Sequence, residues 1–386
     1  MKKLAIVSSH PIQYNAPLFR LLAASKKIEL YVFYTAPQFS ETFFDPDFGN
    51  EIKWDIPLLE GYDYQMVENI SPHPSTKHWN GIICPNLIPS LQSFAPDAIL
   101  IFGWKFKSHF AVMRHFSGKT PIWFRGDSTN LDAQPFYKKL LRNIVLRFVF
   151  RYVDRAFYVG KANKSYYQSA GLDADSLILA PHAVDNDFFA ESEEEFNALA
   201  LQKRKELGFT ENDLVVLFAG KFEKKKNPGL LLDAFKEAIK HRQNLRLLFV
   251  GNGDMERELR RGAEGLDQVK FLPFQNQRLM PVIYRTGDIL CLPSRGPNET
   301  WGLAANEAMA SGRPVILSNA VGSFADLVDN HHNGFIFDHT SRDELTAILT
   351  GLDKKVTLKM GEKARISIKK FSFSTFSDQV ENELNK

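Results

Sequence analysis

The chain has 386 residues, 44% hydrophobic and 24% charged, with a formal net charge of +3. That length suits two ordinary domains rather than one, each rich enough in apolar residues to bury a core. The near-neutral balance argues against nucleic acid as a partner, and no stretch approaches the ~18 apolar residues of a membrane span.

Short apolar runs alternate with amphipathic stretches along the whole chain, which predicts β-α-β units and parallel sheets. Strand Leu4–Ser8 comes first, then a helix over Pro17–Ala24 and strand Glu29–Tyr34. From Ala36 to Asn86 the chain is rich in Phe, Pro, Trp and His without a long period, as in a functional connection. Strands Ala98–Phe102, Pro121–Arg125, Arg155–Val159 and Leu177–Ala180 then alternate with helices over Lys107–Phe116, Pro135–Val153 and Lys161–Ser169.

The join falls near Pro181–Asp185, and the charged stretch Glu191–Lys205 leads into a second series. Its strands are Val215–Ala219, Arg246–Val250, Val269–Phe271, Ile289–Leu292, Pro314–Leu317 and Gly334–Phe337. Its helices are Pro228–His241, Met255–Gly265, Met280–Thr286, Leu303–Ala310, Phe324–Asp329 and Ser341–Leu352. The tail is helical in composition and carries Phe371, Phe373 and Phe376, an aromatic face that must dock. The predicted division is 1–183, 184–365 and a final helix over 366–386 that packs back on the first part.

Cys84 and Cys291 form neither a CxxC pair nor a disulfide framework, which fits a reducing compartment. The first apolar run, Leu4–Val7, stops far short of a signal-peptide core, so a cytoplasmic chain is expected.

The strongest chemical signal is the segment SRGPNETWGLAANEAMASGRP, from Ser294 to Pro314. A strand ends before it and a helix starts near Leu303. Backbone N–H groups at Trp301-Gly302 and the helix start make a site for phosphate or sugar oxygens, and Gly302 permits close approach. Glu299 in the loop and Glu307 in the helix, seven residues between them, can face one pocket at the carboxyl edge of the sheet. A carboxylate accepts two hydroxyl hydrogen bonds at once, so it suits a vicinal diol. Each Glu alone also fits a solvated loop or a dipole-favoured helix start.

A second signal is FAGKFEKKKNPGLLLDAF, where strand, Gly220, Lys221, turn and Lys226 precede an amphipathic helix. Two cations flanking a turn can hold a diphosphate; a run of lysines can equally be a solvated turn. A third is FVGNGDM, with Gly251 and Asn252 after a strand, a weak motif by itself.

Together these segments resemble the retaining glycosyltransferases of the GT-B fold, family 4, also called glycosyl transferases group 1. Glu299, Gly302, Glu307-Ala308-Met309-Ala310, Gly312 and Pro314-Val315 match the family's E-x7-E signature, with Trp301 where Phe is usual. Phe271–Phe274 and Asp288–Ser294 resemble its base-side strand and D-x-x-x-x-P-S run, Asp288 reading as a structural cap. PHAVDNDFF resembles its hinge, with His182-Ala183 replacing Asn-Gly.

The resemblance implies two Rossmann-like domains facing across a deep cleft, the acceptor on the first and a nucleoside-diphosphate sugar on the second. It implies that Glu307 holds the ribose hydroxyls and that Glu299 contacts the donor sugar. Gly220, Lys221, Lys226, Gly251, Asn252, Phe274, Trp301, Gly302 and Leu303 complete the donor site. It further implies retention at the anomeric carbon, with Lys221 and Lys226 stabilising the departing diphosphate. The donor is expected to be a UDP-sugar, with GDP-sugar next, and the acceptor a hydroxyl of a glycan or lipid-linked molecule in polysaccharide synthesis.

The first half departs from the family. Its opening strand leads to Ser8-Ser9-His10-Pro11-Ile12-Gln13 where a Gly-rich loop is usual, and no His follows Trp123-Phe124-Arg125-Gly126-Asp127. His10 and Asp127 are candidate catalytic groups, and Gln13, Arg125, Phe43 and Phe44 candidate acceptor contacts. The structural alternatives are a core His, a capping Asp and loop aromatics that form a satellite core.

Asp45-Pro46-Asp47 and Asp173-Ala174-Asp175 read as surface turns, so no metal and no cofactor are expected. Lys138–Arg151 is basic and apolar in helical blocks, suited either to an anionic membrane surface, at most a peripheral contact at its inner face, or to a helix with one core face. Two rival functions remain: a non-catalytic protein binding a glycan or sugar nucleotide, and a sugar phosphorylase or synthase built from the same parts.

Overall fold

A computed structural model describes residues 1–37, 55–132 and 135–386 in full and 43–45 and 50–52 by their backbone. It divides into two compact units: Met1–Phe43 with Ile56–Pro181 and Phe373–Lys386, and Phe44–Asp55 with His182–Ser372.

In the first unit the elements run β1 (Lys2–Ser8), α1 (Ala16–Ala24), β2 (Ile28–Tyr34), β3 (Asp63–Met66), α2 (Leu87–Phe94), β4 (Ala98–Phe102) and α3 (Lys107–Phe116). Then come β5 (Ile122–Arg125), α4 (Phe136–Phe150), β6 (Arg155–Tyr158), α5 (Lys161–Ser169) and β7 (Leu177–Leu179). The sheet order is β3-β2-β1-β4-β5-β6-β7, parallel at every pairing. Helices on both faces explain why β1 and β4 read as continuous apolar runs rather than alternating ones.

The second unit runs α6 (Asn186–Ala190), α7 (Glu193–Glu206), β8 (Leu214–Ala219), α8 (Pro228–Ala238), β9 (Leu245–Val250), α9 (Glu256–Gly262), β10 (Val269–Leu272) and α10 (Met280–Thr286). It continues through β11 (Ile289–Leu292), α11 (Leu303–Ala310), β12 (Val315–Ser318), α12 (Phe324–Leu327), β13 (Gly334–Phe337), α13 (Arg342–Gly351) and α14 (Lys354–Ile368). Its parallel sheet has the order β10-β9-β8-β11-β12-β13. Both sheets are doubly wound, the α/β, two-Rossmann architecture expected from the alternation of runs.

The last helix, α15 (Phe373–Leu384), belongs to the first unit. It starts at Phe373 because 366–368 complete α14, which packs on α11 in the second unit. Phe376, Val380 and Leu384 join the core that holds Leu18, Phe19 and Leu22 of α1. Glu381 accepts from Ser25 Oγ at 2.6 Å and Lys27 Nζ at 3.1 Å, and Glu383 from Arg155 Nε at 2.5 Å.

Several described elements lie outside the sequence expectations, among them β3, α2 and α6. Strand β3, Asp-Tyr-Gln-Met, sits at the sheet edge and lacks an apolar run. Helix α2 carries Pro89 in its first turn, which obscures the helical period.

Arg125 ends β5 and is buried. It donates from Nη1 to the Ala180 carbonyl at 2.6 Å and from Nη2 to the Pro181 carbonyl at 3.3 Å, and lies 4.5 Å from the centre of the Phe376 ring. Burial pulls its pKa down to about 10, still charged at neutral pH. It therefore ties the exit of β7 and the returning helix to the sheet. Arg125→Ala is expected to destabilise the protein by about 2–4 kcal/mol, since it removes a cation–π contact and orphans two buried carbonyls. A urea-unfolding midpoint checks this; an unchanged midpoint contradicts it.

Candidate active site

In the second sheet the strand order reverses between β8 and β11, so the loops that leave their carboxyl ends turn apart and open a crevice. The loop after β8 carries Gly220 to Asn227, and the loop after β11 carries Pro293 to Gly302. The Arg295 amide donates to the Lys225 carbonyl at 2.9 Å and ties the two loops together.

Across this junction Lys226 Nζ lies 2.8 Å from Glu299 Oε1 and 2.6 Å from Oε2. Ser294 Oγ donates to Oε2 at 3.2 Å. Glu299 is 7% exposed, and a buried carboxylate needs paired partners such as these. The neighbouring lysines differ: Lys225 pairs with Glu223 at 3.3 Å, and Lys224 is exposed. Lys221 is half-buried at the exit of β8.

Gly302 stands at the cap of α11 with φ 88°, in the left-handed region. A Cβ there would lie 2.9 Å from Val321 Cγ1 and 3.6 Å from Glu299 Oε1, so only glycine lets the loop close on that carboxylate. Leu303 and Ala304 follow, partly exposed, and the first-turn amides of any helix lack intrahelical acceptors. The loop is fixed from the other side. Gly322 N donates to the Glu299 carbonyl at 2.9 Å, and Ser323 Oγ to the Trp301 carbonyl at 2.6 Å. Gly322 and Ser323 were not signalled by the sequence.

Glu307 projects from the second turn of α11 and is 3% exposed. Tyr284 Oη donates to its Oε2 at 2.6 Å, and Gln277 Nε2 to its Oε1 at 3.2 Å. A carboxylate held in this way has its plane and direction set by its neighbours, and carboxylate oxygens are the acceptors that a vicinal diol requires. Tyr284 and Gln277 were also unsignalled, since they lie 23 and 30 residues away in sequence.

The structure places Trp301 in packing rather than on open surface. Its Nε1 donates to Asn306 Oδ1 at 2.8 Å, and its ring lies 5.6 Å from His182 and 6.1 Å from Phe371. Asn306 in turn donates to the His182 carbonyl at 3.2 Å. The loop after β9 closes on the loop after β8: a Cβ on Gly251 would lie 2.0 Å from the Gly220 carbonyl oxygen. Asn252 Oδ1 accepts from the Phe274 amide at 2.8 Å and its Nδ2 donates to Glu256 at 3.0 Å, which fixes the loop beyond β10. Asp288 is structural, accepting from the Val215 amide at 2.7 Å and pairing with Arg204 at 3.1 Å.

In the first unit His10 follows β1, with Ser9 Oγ 3.0 Å from its Nδ1, and burial lowers its pKa toward the neutral form. Gln13 lies in the turn before α1, half-buried. Asp127 lines a pocket of about 320 Å³ at the carboxyl ends of β4 and β5, with Gly103, Lys105, Phe150, Tyr166 and Tyr167. Tyr167 Oη brackets Gly126, accepting from its amide at 2.9 Å and donating to its carbonyl at 2.8 Å.

The histidine nearest the β4 exit is His109 on α3, which the sequence reading did not single out. It is fully buried, its Nδ1 donating to the Gly103 carbonyl at 2.9 Å and its Nε2 2.8 Å from Thr35 Oγ1. Burial pushes its pKa down to about 4, so it is a neutral support for the Gly103 turn. The side chains of Phe43 and Phe44 lie outside the described residues. Among the described residues, no group of three or more His, Cys, Asp or Glu is placed to hold a metal ion, and no helix is long and apolar enough to cross a membrane.

Residues 201–366 match the family model described as glycosyl transferases group 1. A D-inositol 3-phosphate glycosyltransferase from Corynebacterium aurimucosum is 28% identical over 222 residues, 54% of this chain and 51% of that protein. The chain thus spans about half the length of the curated relatives it matches. Over whole chains, the crystal structure of Anabaena HepE in complex with UDP and glucose superposes with a TM-score of 0.71 at 20% identity. Sucrose-phosphate synthase from Thermosynechococcus elongatus superposes with a TM-score of 0.72 at 17% identity, over 100% of this chain and 98% of that one. These likenesses establish a GT-B fold, and the stretch of its second unit that matches the glycosyl transferases group 1 includes Lys221, Lys226, Glu299 and Glu307.

Proposed function

We propose that the protein is a glycosyltransferase that moves a sugar from a nucleoside diphosphate to a hydroxyl of a glycan or lipid-linked acceptor, with retention at the anomeric carbon. The observation that carries this reading is the juxtaposition of Lys226, Glu299 and Glu307 at the switch point of the second sheet. Glu307, oriented by Tyr284 and Gln277, accepts from the ribose hydroxyls. Lys226, oriented by Glu299, meets the diphosphate, with Lys221 and the first amides of α11 as further positive partners. The lysines supply the charge that a metal supplies elsewhere, so no metal enters the reading.

As the bond to the anomeric carbon breaks, negative charge grows on the leaving phosphate oxygen. That oxygen takes the proton of the incoming hydroxyl on the same face, in a reading that uses no side-chain nucleophile among the described residues. UDP is favoured as carrier, in keeping with the UDP bound in the HepE complex. In the first unit, the pocket beside Asp127 and Lys105 is the acceptor candidate, aromatic walls suiting sugar rings and Asp127 a hydroxyl.

A thermal-shift panel of UDP, GDP and ADP tests the donor assignment. At about 100 times Kd the correct nucleotide adds about 2.7 kcal/mol of stability and raises the melting temperature. UDP is expected to give the largest rise; no rise with any nucleotide contradicts the reading.

A further inference from the structure

Helix α4 breaks the rule that an amphipathic helix turns its apolar face inward. It buries Leu146, Val149 and Phe150 near its C-terminal end. On the opposite side Phe136, Leu140, Leu141, Ile144, Val145 and Phe148 recur at spacings of about one turn and are all exposed, Phe136 at 80%, Leu141 at 64% and Ile144 at 58%. Tyr137, also exposed, lies on the same side. The stripe continues onto Trp79, whose ring lies 5.6 Å from Phe110, itself 6.2 Å from Phe148. A contiguous exposed apolar surface of this kind marks a contact.

Charge decides what the contact is. Lys138, Lys139, Arg142, Arg147 and Arg151 belong to the helix and its cap, and no Asp or Glu occurs between Asp132 and Asp154. Arg142 bonds Asn130, whereas Lys138, Lys139, Arg147 and Arg151 are exposed beside the stripe, with Arg151 4.2 Å from the Phe148 ring centre. A second copy of the chain would set these cations against their own kind. An anionic lipid surface satisfies both halves: acyl chains receive the stripe and head groups the flanking cations, with Trp79 and Tyr137 suited to the interface.

We infer that α4 is a membrane-docking element that lies in the plane of an anionic bilayer. From its buried side the same helix supplies Phe150 to the pocket beside Asp127. The inference stands on the surface of α4 alone and survives if the reaction proposed above proves different.

Flotation of the full chain with vesicles tests it, using phosphatidylcholine alone and phosphatidylcholine mixed with phosphatidylglycerol. The wild type is expected to float with the anionic vesicles and stay behind with the neutral ones. Lys138→Gln with Lys139→Gln is expected to weaken binding about 30-fold, and Leu141→Gln with Ile144→Gln to abolish flotation. Melting temperature and nucleotide-induced shifts stay as in the wild type, because all four side chains are exposed. Wild type that fails to float, including wild type that sediments as a dimer through this face, overturns the inference. Variants that float like the wild type overturn it too, since the contact then lies elsewhere.

Discussion

Under the proposed reaction, replacing Lys226 by Ala is expected to lower kcat by about 100- to 1,000-fold while weakening donor binding much less, because charge on the leaving diphosphate grows as the bond to the anomeric carbon breaks. The geometry makes this variant unusually severe. Lys226 lies within 2.8 Å of Glu299, so its removal also takes the cation from a carboxylate that is 7% exposed and leaves it the Ser294 hydroxyl among the described residues. The melting temperature therefore falls as well, by an amount the conservative Lys226→Arg recovers. Lys226→Arg keeps the charge and the pairing but changes the reach, so it should restore stability fully and turnover in part. Steady-state rates at saturating donor check this. Equal kcat for Lys226→Ala and wild type removes Lys226 from the chemistry.

Glu307→Ala is the second large effect, expected at about 10- to 100-fold in donor Kd, the size of lost hydrogen bonds to a charged group. The residue stands in a helix whose remaining positions from Ala305 to Ala310 are buried, so the variant keeps its fold and loses an acceptor. Tyr284→Phe separates orientation from contact. It frees Glu307 Oε2 from the 2.6 Å bond and should raise Kd by a smaller factor. Calorimetric titration of the nucleotide, with circular dichroism as the control, measures both. Unchanged affinity in a folded Glu307→Ala protein rules out the ribose role.

Much of the fold was legible because its strands are buried on both faces and therefore read as apolar runs. Where that physics fails, the reading fails: β3 at the sheet edge needs no apolar run, and Pro89 in α2 breaks the helical pattern. The site was legible in its loops. Lys221, Lys226, Glu299 and Glu307 lie in segments whose residue order already marks strand ends and a helix start.

What pairs with them was not legible. Which lysine of Lys224-Lys225-Lys226 meets Glu299 depends on how two loops 73 residues apart cross. Tyr284 and Gln277 reach Glu307 because α10 and the turn before it pack on α11, which no local pattern records. The side-chain donors of Arg125, at a strand end, and of Trp301, beside a helix cap, meet carbonyl and amide oxygens of the protein, which their place in the sequence did not record.

The most direct test of the donor site is mass-detected release of free nucleoside diphosphate from a panel of UDP- and GDP-sugars, by the wild type and by a Glu299→Ala, Glu307→Ala double variant. The account predicts that the wild type releases the diphosphate from at least one donor, slowly without acceptor, and that the folded double variant releases none. A wild type that turns over no donor, or a double variant that keeps the wild-type rate, would contradict it.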